Sequence, residues 1–209
     1  MKLEKPKLIN DLEEKSITTC LIENDFSNSK FFEKIENNII IKDTTFDTCI
    51  FENIDFTKIK LENIDLIDTI FKNCDLSNQN FDKQFLRRVV FNNCKLVGTS
   101  FIDASLKDIE FINCNAKYLN FSSSKLENIR LTESNFSSTT FSTLDLKNIE
   151  LNNVDLSNSE FVRTNLKGTD FSTCNITNII FDQSSLKGII IDSFQAQNIV
   201  GIFGVHIKD

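Results

Sequence analysis

FKNCDLSNQNFDKQFLRRVVFNNCKLVGTSFIDASLKDIEFINCNAKYLNF, residues 71–121, carries Leu or Phe at every fifth position, with Ala116 as its one departure. Extended in both directions, the same step visits 35 positions from Leu21 to Ile191, and 33 of them are Leu, Ile or Phe; Glu36 is the other exception. Leu, Ile and Phe make up roughly a third of the chain, so chance does not produce this pattern. Sixteen of the 20 Phe lie on the step. Two residues before each centre a second rule holds. From Ile39 to Ile189 that position is Ile, Leu, Val, Ala, Cys, Ser or Thr, except at Gln79 and Gln84.

A period of five suits neither common element. Residues five apart rotate off one face of a 3.6-residue helix and change sides on a two-residue strand. A square coil accommodates them: five residues make one side and a corner, each centre points to the axis, and the chain returns after four sides. The spacing therefore predicts an all-β fold, a right-handed four-sided parallel β-helix of about nine coils. At about 4.8 Å per coil the rod is roughly 43 Å long. Each buried Leu or Phe contributes on the order of 2 kcal/mol before entropy.

Register by twenty supports the coil. One column of centres reads Phe81, Phe101, Phe121, Phe141, Phe161, Phe181, and the next reads Leu66, Leu86, Leu106, Leu126, Leu146, Leu166, Leu186. At one corner Asn53, Asn73, Asn93, Asn113 and Asn153 are placed to form an amide ladder of the kind that stacked strands support. Gly98, Gly168 and Gly188 fall at the corner position, where a permissive backbone helps the turn.

The expected organisation has three parts: residues 1–19 as an N-terminal cap, 20–190 as the β-helix, and 191–209 as a C-terminal cap and dimerisation segment. Within the first part, Lys7 to Ser16 is expected as a short helix or irregular plug over the open end. The two Gln exceptions predict a local distortion near residues 79–90 without a shift of frame. GIIIDSFQAQNIVGIFGV, residues 188–205, leaves the repeat and concentrates Ile, Val and Phe. Coil ends expose unpaired backbone and core, so they need a cover. Phe194, Ile199, Val200, Ile202, Phe203 and Val205 are the expected two-fold contact between copies.

Composition narrows the function. The formal charge of -7, from 30 acidic and 23 basic residues, disfavours binding of nucleic acid phosphates. The opening MKLEKPKLIN lacks the apolar stretch of a signal peptide, and no run reaches the roughly 20 apolar residues of a membrane span. The chain is therefore expected in the cytoplasm, with its six cysteines as free thiols. Cys74, Cys94, Cys114 and Cys174 share one small-residue column. They read as compact core groups rather than a metal or redox site, since the ligand partners such sites use are missing. His206, the only histidine, has no orienting neighbours in sequence. No catalytic, cofactor or metal residue is assigned, and the chain reads as a protein without enzymatic activity.

What remains is the surface. The side centred on Leu21 to Phe181 presents Glu62, Asp82, Asp103 and Glu160 among its charges, and the opposite side presents Glu52, Glu110, Glu133, Glu150 and Asp170. Between them runs a basic line, Arg87, Lys107, Lys147, Lys167 and Lys187, interrupted by Glu127. Two readings follow. Either these are solvated faces of a scaffold, or an acidic rod competes for a protein groove built to hold DNA.

The repeat grammar is identified as that of the pentapeptide-repeat proteins. FKNCDLS at 71–77, SLKDIEF at 105–111 and IDSFQA at 191–196 resemble segments of the Qnr-type quinolone-resistance proteins, and the length is similar to theirs. That resemblance implies a cytoplasmic dimer joined through its C-terminal ends that binds DNA gyrase and topoisomerase IV and protects them from fluoroquinolones. It implies a rod matched to duplex DNA in width and charge, with projecting loops contributing to protection. The loop candidate here is residues 79–90, with Gln79, Gln84, Phe85, Arg87 and Arg88. A scaffold with another partner and self-immunity against a natural gyrase inhibitor are the alternatives.

Overall fold

The computed structural model describes residues 2–206. The chain winds as a four-sided parallel β-helix of about eight turns. The ninth expected turn is given over to helices at the two ends. In chain order the elements are β1 (Glu13–Glu14), α1 (Ile17–Glu23), β2 (Phe26–Ser27), β3 (Ser29–Phe31), β4 (Ile39–Asp47) and β5 (Ile50–Glu52). A 3-10 turn at Phe56–Lys58 follows, then β6 (Ile59–Lys72), β7 (Phe85–Asn92), β8 (Ser105–Ile112), β9 (Lys125–Thr132) and β10 (Asp145–Asn152). The last are β11 (Glu160–Phe161), β12 (Ile180–Phe181) and α2 (Ser193–Ile202).

The register is the one the spacing demands: Leu66 pairs with Leu86, Leu86 with Leu106, Leu106 with Leu126, and Leu126 with Leu146, all parallel. The centres fill the axis. Phe31, Phe51, Phe71, Phe91 and Phe111 stack with centroids 4.7, 5.1, 5.2 and 4.9 Å apart, close to the strand spacing itself. Phe81, Phe101, Phe121, Phe141 and Phe161 form a second such column. Small inward residues do a second job. Thr69, Thr99, Ser124 and Ser159 each turn a hydroxyl to the carbonyl oxygen of the residue 23 positions earlier, and the thiols of Cys74, Cys94 and Cys114 point at the equivalent carbonyls. A polar atom thus sits in the core without being left unpaired.

Corners lie two residues after each centre, and nearly all are left-handed, among them Asn53 (φ 59), Asn73 (φ 53), Asn93 (φ 55) and Asn113 (φ 52). Asn tolerates this region better than other side chains, which accounts for the Asn columns before any ladder forms. At Gly98 (φ 70) a Cβ would also lie 2.6 Å from the Asn78 amide oxygen.

Sides come in two kinds. Where Asp or Asn precedes the centre and its carboxylate or amide oxygen accepts the N–H two residues on, as Asp75 does from Ser77, Asn120 from Ser122 and Asn135 from Ser137, the side is a turn. At Lys60, Ile70, Val90, Ser105 and Glu110 the side is extended and joins the sheet, but residue type alone does not decide this, since Lys95 and Ser100 also precede turns and Asp65 precedes an extended side. The kinds collide between Leu61 and Phe81, because Asn80 begins a turn above the strand carrying Lys60. Gln79 fills the break: its Nε2 donates to Phe56 O at 2.8 Å and Ile59 O at 2.9 Å. A groove of about 580 Å³ opens beside it.

Both ends are covered. α1 lays Ile17 and Cys20 on the first coil with Ser16 as its N-cap, so the helical cap begins where the expected plug of Lys7 to Ser16 ends. At the far end Asp182 draws in Ser184 and Ser185, shifting the inward small residue from position 184 to Ser185. α2 follows, with a capping box from Asp192 and Gln195. Gln195 Nε2 donates to the Phe171 and Cys174 carbonyl oxygens at 2.8 Å each, closing the last coil as Gln79 closes the break.

Candidate interaction surfaces

A rod with a solid core meets other molecules through its corners, its sides and its ends. Most of its outward carboxylates are engaged within the rod. Asp82 accepts the Ile102 N–H at 2.8 Å, Glu160 accepts from Ser142 at 3.0 Å, and Asp170 accepts the Ser172 N–H at 2.9 Å. The Ser172 hydroxyl and N–H hold the Asp170 carboxyl below its ordinary range. Glu62 pairs with Lys60 at 2.6 Å, Glu52 lies 3.8 Å from Lys30, and Glu150 accepts from Arg130 at 3.1 Å. Asp103 and Glu133 stand at exposed corners. Glu110 does not face solvent: it is 4% exposed, between Arg130 at 3.2 Å and Lys5.

The basic line is stitched rather than interrupted. Glu127 accepts from Lys107 at 2.9 Å and from Lys147 at 3.3 Å, one and one coil away on either side, and these two cations hold its carboxyl below the usual range. The Asn ladder runs from Asn93 to Asn73 at 2.6 Å and from Asn73 to Asn53 at 3.1 Å.

Residues 79–90 stay in the twenty-residue register and do not project. Gln79 plugs the break, Gln84 donates to the Asp82 carbonyl oxygen, Phe85 opens β7, and Arg88 is buried. Arg87 lies beside it, 4.0 Å from Glu4. The six cysteines are buried and unpaired, and burial pushes the Cys49 thiol up to about 12 and the Cys114 thiol up to about 11. Among the described residues no group of His, Cys, Asp or Glu has the arrangement of a metal site.

At the C-terminal end Phe194 is 80% exposed, with Ile202, Phe203 and Val205 exposed beside it and Ile199 and Val200 half-buried. Ile180 and Ile190 add apolar surface at the same end. His206 is exposed.

The sequence reading did not foresee the N-terminal segment. Residues 2–12 run lengthwise down one corner, from the coil of Asp108 back towards the first. The signal was slight: Val90 is an apolar residue at an outward position, and it is 9% exposed.

These features define a parallel β-solenoid built from five-residue sides around a packed core. Models of the pentapeptide repeat region match residues 64–141 and 85–161, and a model of pentapeptide repeats in eight copies matches 149–188, so the chain belongs to the pentapeptide-repeat family. No curated protein matches the chain. Among solved structures it is similar to full-length QnrB1, a plasmid-mediated fluoroquinolone resistance protein, at 23% identity and TM-score 0.50, covering 86% of this chain and 89% of that one. It is also similar to HetL, a pentapeptide repeat protein involved in heterocyst differentiation regulation from the cyanobacterium Nostoc, at 15% identity and TM-score 0.36, covering 80% and 89%. No helix among the described residues is long and apolar enough to cross a membrane.

Proposed function

We propose that this chain is a non-enzymatic cytoplasmic protein that binds DNA gyrase or topoisomerase IV as a homodimer and protects the enzyme from fluoroquinolones. The observation that carries this reading is the acidic rod itself. A four-sided helix with a formal charge of -7 carries an excess of carboxylates over cations, as a duplex carries phosphates, with Asp103 and Glu133 at exposed corners. The likeness to QnrB1 supports the same fold, and the drug-resistance role belongs to that protein. The three short segments that resemble Qnr-type proteins favour this partner over an unrelated one. No bond is made or broken: the rod competes for, or destabilises, the DNA gate.

The test is a gyrase supercoiling and cleavage assay titrated with this protein, with and without ciprofloxacin. Recovery of supercoiling in drug at low protein concentration is the expected result. Inhibition without recovery would defeat protection while leaving mimicry, and no effect would move the chain to the scaffold class. Because Glu110, Glu150 and Asp170 are engaged within the rod, the charge reversals chosen are Asp103→Lys and Glu133→Lys, at exposed corners. Together they should weaken enzyme binding at least tenfold without lowering the melting temperature.

A further inference from the structure

Residues 2–12 are bound to the rod as a peptide ligand is bound to a groove. The Lys7 N–H donates to Asp68 Oδ1 at 2.8 Å, and the Glu4 N–H donates to Asp108 Oδ1 at 3.3 Å. Asp68 and Asp108 are corner residues two coils apart, about 9.6 Å along the axis, and three residues of extended chain span about 10 Å. The match of the two repeats is what lets the backbone be read. Side chains add to it. Lys5 pairs with Glu110, and the Glu4 carboxylate lies 3.8 Å from Arg88 and 4.0 Å from Arg87.

The footprint is visible in burial. Asp68, Arg88 and Asp108 are 6, 7 and 1% exposed although all three occupy outward corners, whereas Asn148 in the same column, beyond the segment, is exposed. Arg88 is clamped on Asp68 through Nε at 2.5 Å and Nη2 at 2.6 Å, so it braces the groove floor rather than neutralising Asp108. Asp108 Oδ2 is buried and has no hydrogen-bond partner. Arg88 is engaged by Asp68 and Arg130 is shared between Glu110 and Glu150, so among the described residues Asp108 has no cation within ion-pair distance and Glu110 takes its second cation, Lys5, from the segment.

From this we infer that the corner groove of Asp68, Arg88, Asp108 and Glu110 is a binding site for an extended, lysine-bearing peptide segment of a protein partner, and that the chain's own N-terminal segment occupies it as an internal ligand. Recognition has two parts: N–H groups three residues apart that reach alternate coils, and one lysine between them for Glu110. A partner segment with that pattern takes the place of residues 2–7. The groove is independent of the topoisomerase reading, since its occupant is an extended peptide and not a DNA-binding surface.

The probe is a fluorescein-labelled peptide with the sequence of residues 2–11, followed by polarisation against two full-length chains, wild type and Lys5→Glu/Lys7→Pro. The double variant removes two cations and one N–H donor from the internal ligand, adds a carboxylate opposite Glu110, and leaves the groove's own residues unaltered. The tethered segment competes at a high effective concentration, so the peptide should bind the variant at least about tenfold more tightly than the wild type. Adding Glu110→Lys should abolish that binding, and a peptide with Lys5→Glu should recover it. Equal binding to both chains, binding that ignores Glu110→Lys, or no binding to either at millimolar peptide would each overturn the proposal. Should the double variant fail to fold, the charge-swapped pair of Glu110→Lys chain and Lys5→Glu peptide decides alone. The supercoiling assay is read separately, so loss of one activity does not count against the other.

Discussion

Corner residues carry the backbone cost of this fold, and not all of them suit it. Thr143 holds φ 59 at an exposed corner, and a β-branched side chain in the left-handed region is strained by roughly 1–2 kcal/mol. Thr143→Asn should therefore raise stability by about 1 kcal/mol, read as a higher melting temperature; a lower one would show that the hydroxyl compensates the strain. Centres respond in the opposite sense. Phe101 stacks on Phe81 and Phe121 at 5.3 and 5.2 Å and is fully buried, so Phe101→Ala should cost about 3–5 kcal/mol. Denaturant unfolding measures it, with the caution that coils of a repeat protein can unfold in part. The thiols should be silent in the native rod. With Cys114 raised to about 11, roughly one molecule in a thousand is thiolate there at pH 8, and all six cysteines are buried. A thiol reagent at pH 8 is expected to modify none of them at the rate of a free thiol and all of them in denaturant.

The five-residue step and its return after twenty were legible in the sequence, but which sides turn and which extend was not, since Lys95 and Ser100 precede turns while Lys60 and Ser105 precede strands. Asp75, Asn120 and Asn135 turn their sides, while Ile70, Val90 and Ser105 extend theirs. The break beside Gln79 was flagged by the wrong-sized inward residue, but its purpose, pairing the orphaned carbonyls of Phe56 and Ile59, needed the three-dimensional register. The N-terminal segment was not legible, because nothing in its own pattern encodes a groove whose walls come from residues 61 to 105 positions away. Its anchor makes a separate prediction. Burial alone would raise the Asp68 carboxyl, but the Arg88 guanidinium and the Lys7 N–H outweigh it and hold the group below its usual value of about 3.9. A depressed folded-state value gives stability that is full above pH ~4 and lost as pH falls through that lower value. The facing charges are Arg88 and Lys7, with Glu4 and Asp108 reached through Arg88, and none of the cations loses its proton in that window. Arg88→Met alone should cost about 3–5 kcal/mol by leaving Asp68 buried without its cation. Asp68→Leu/Arg88→Met should cost much less and should flatten the acid limb of the melting curve between pH 4 and 2; an unchanged limb would assign the acid sensitivity elsewhere.

For the whole molecule the two ends are not equivalent. α1 closes the first coil with Ile17 and Cys20 fully buried, whereas α2 uses one polar side chain, Gln195, to satisfy the last coil and turns Phe194 outward. A helix that covered its own rod with its apolar face would not leave Phe194, Ile202, Phe203 and Val205 exposed beside Ile180 and Ile190. In the proposed homodimer the same patch on two copies would meet about a two-fold axis, giving a rod of double length that presents each acidic side twice. Light scattering during gel filtration should therefore report twice the 24.0 kDa chain mass. Phe194→Asp should yield a monomer, because a carboxylate at the centre of the contact is desolvated without a partner. Gln195 is left in place in that variant, so the rod should melt as before at low protein concentration. A wild-type chain that stays at the single-chain mass at high micromolar concentration would refute the two-fold assembly.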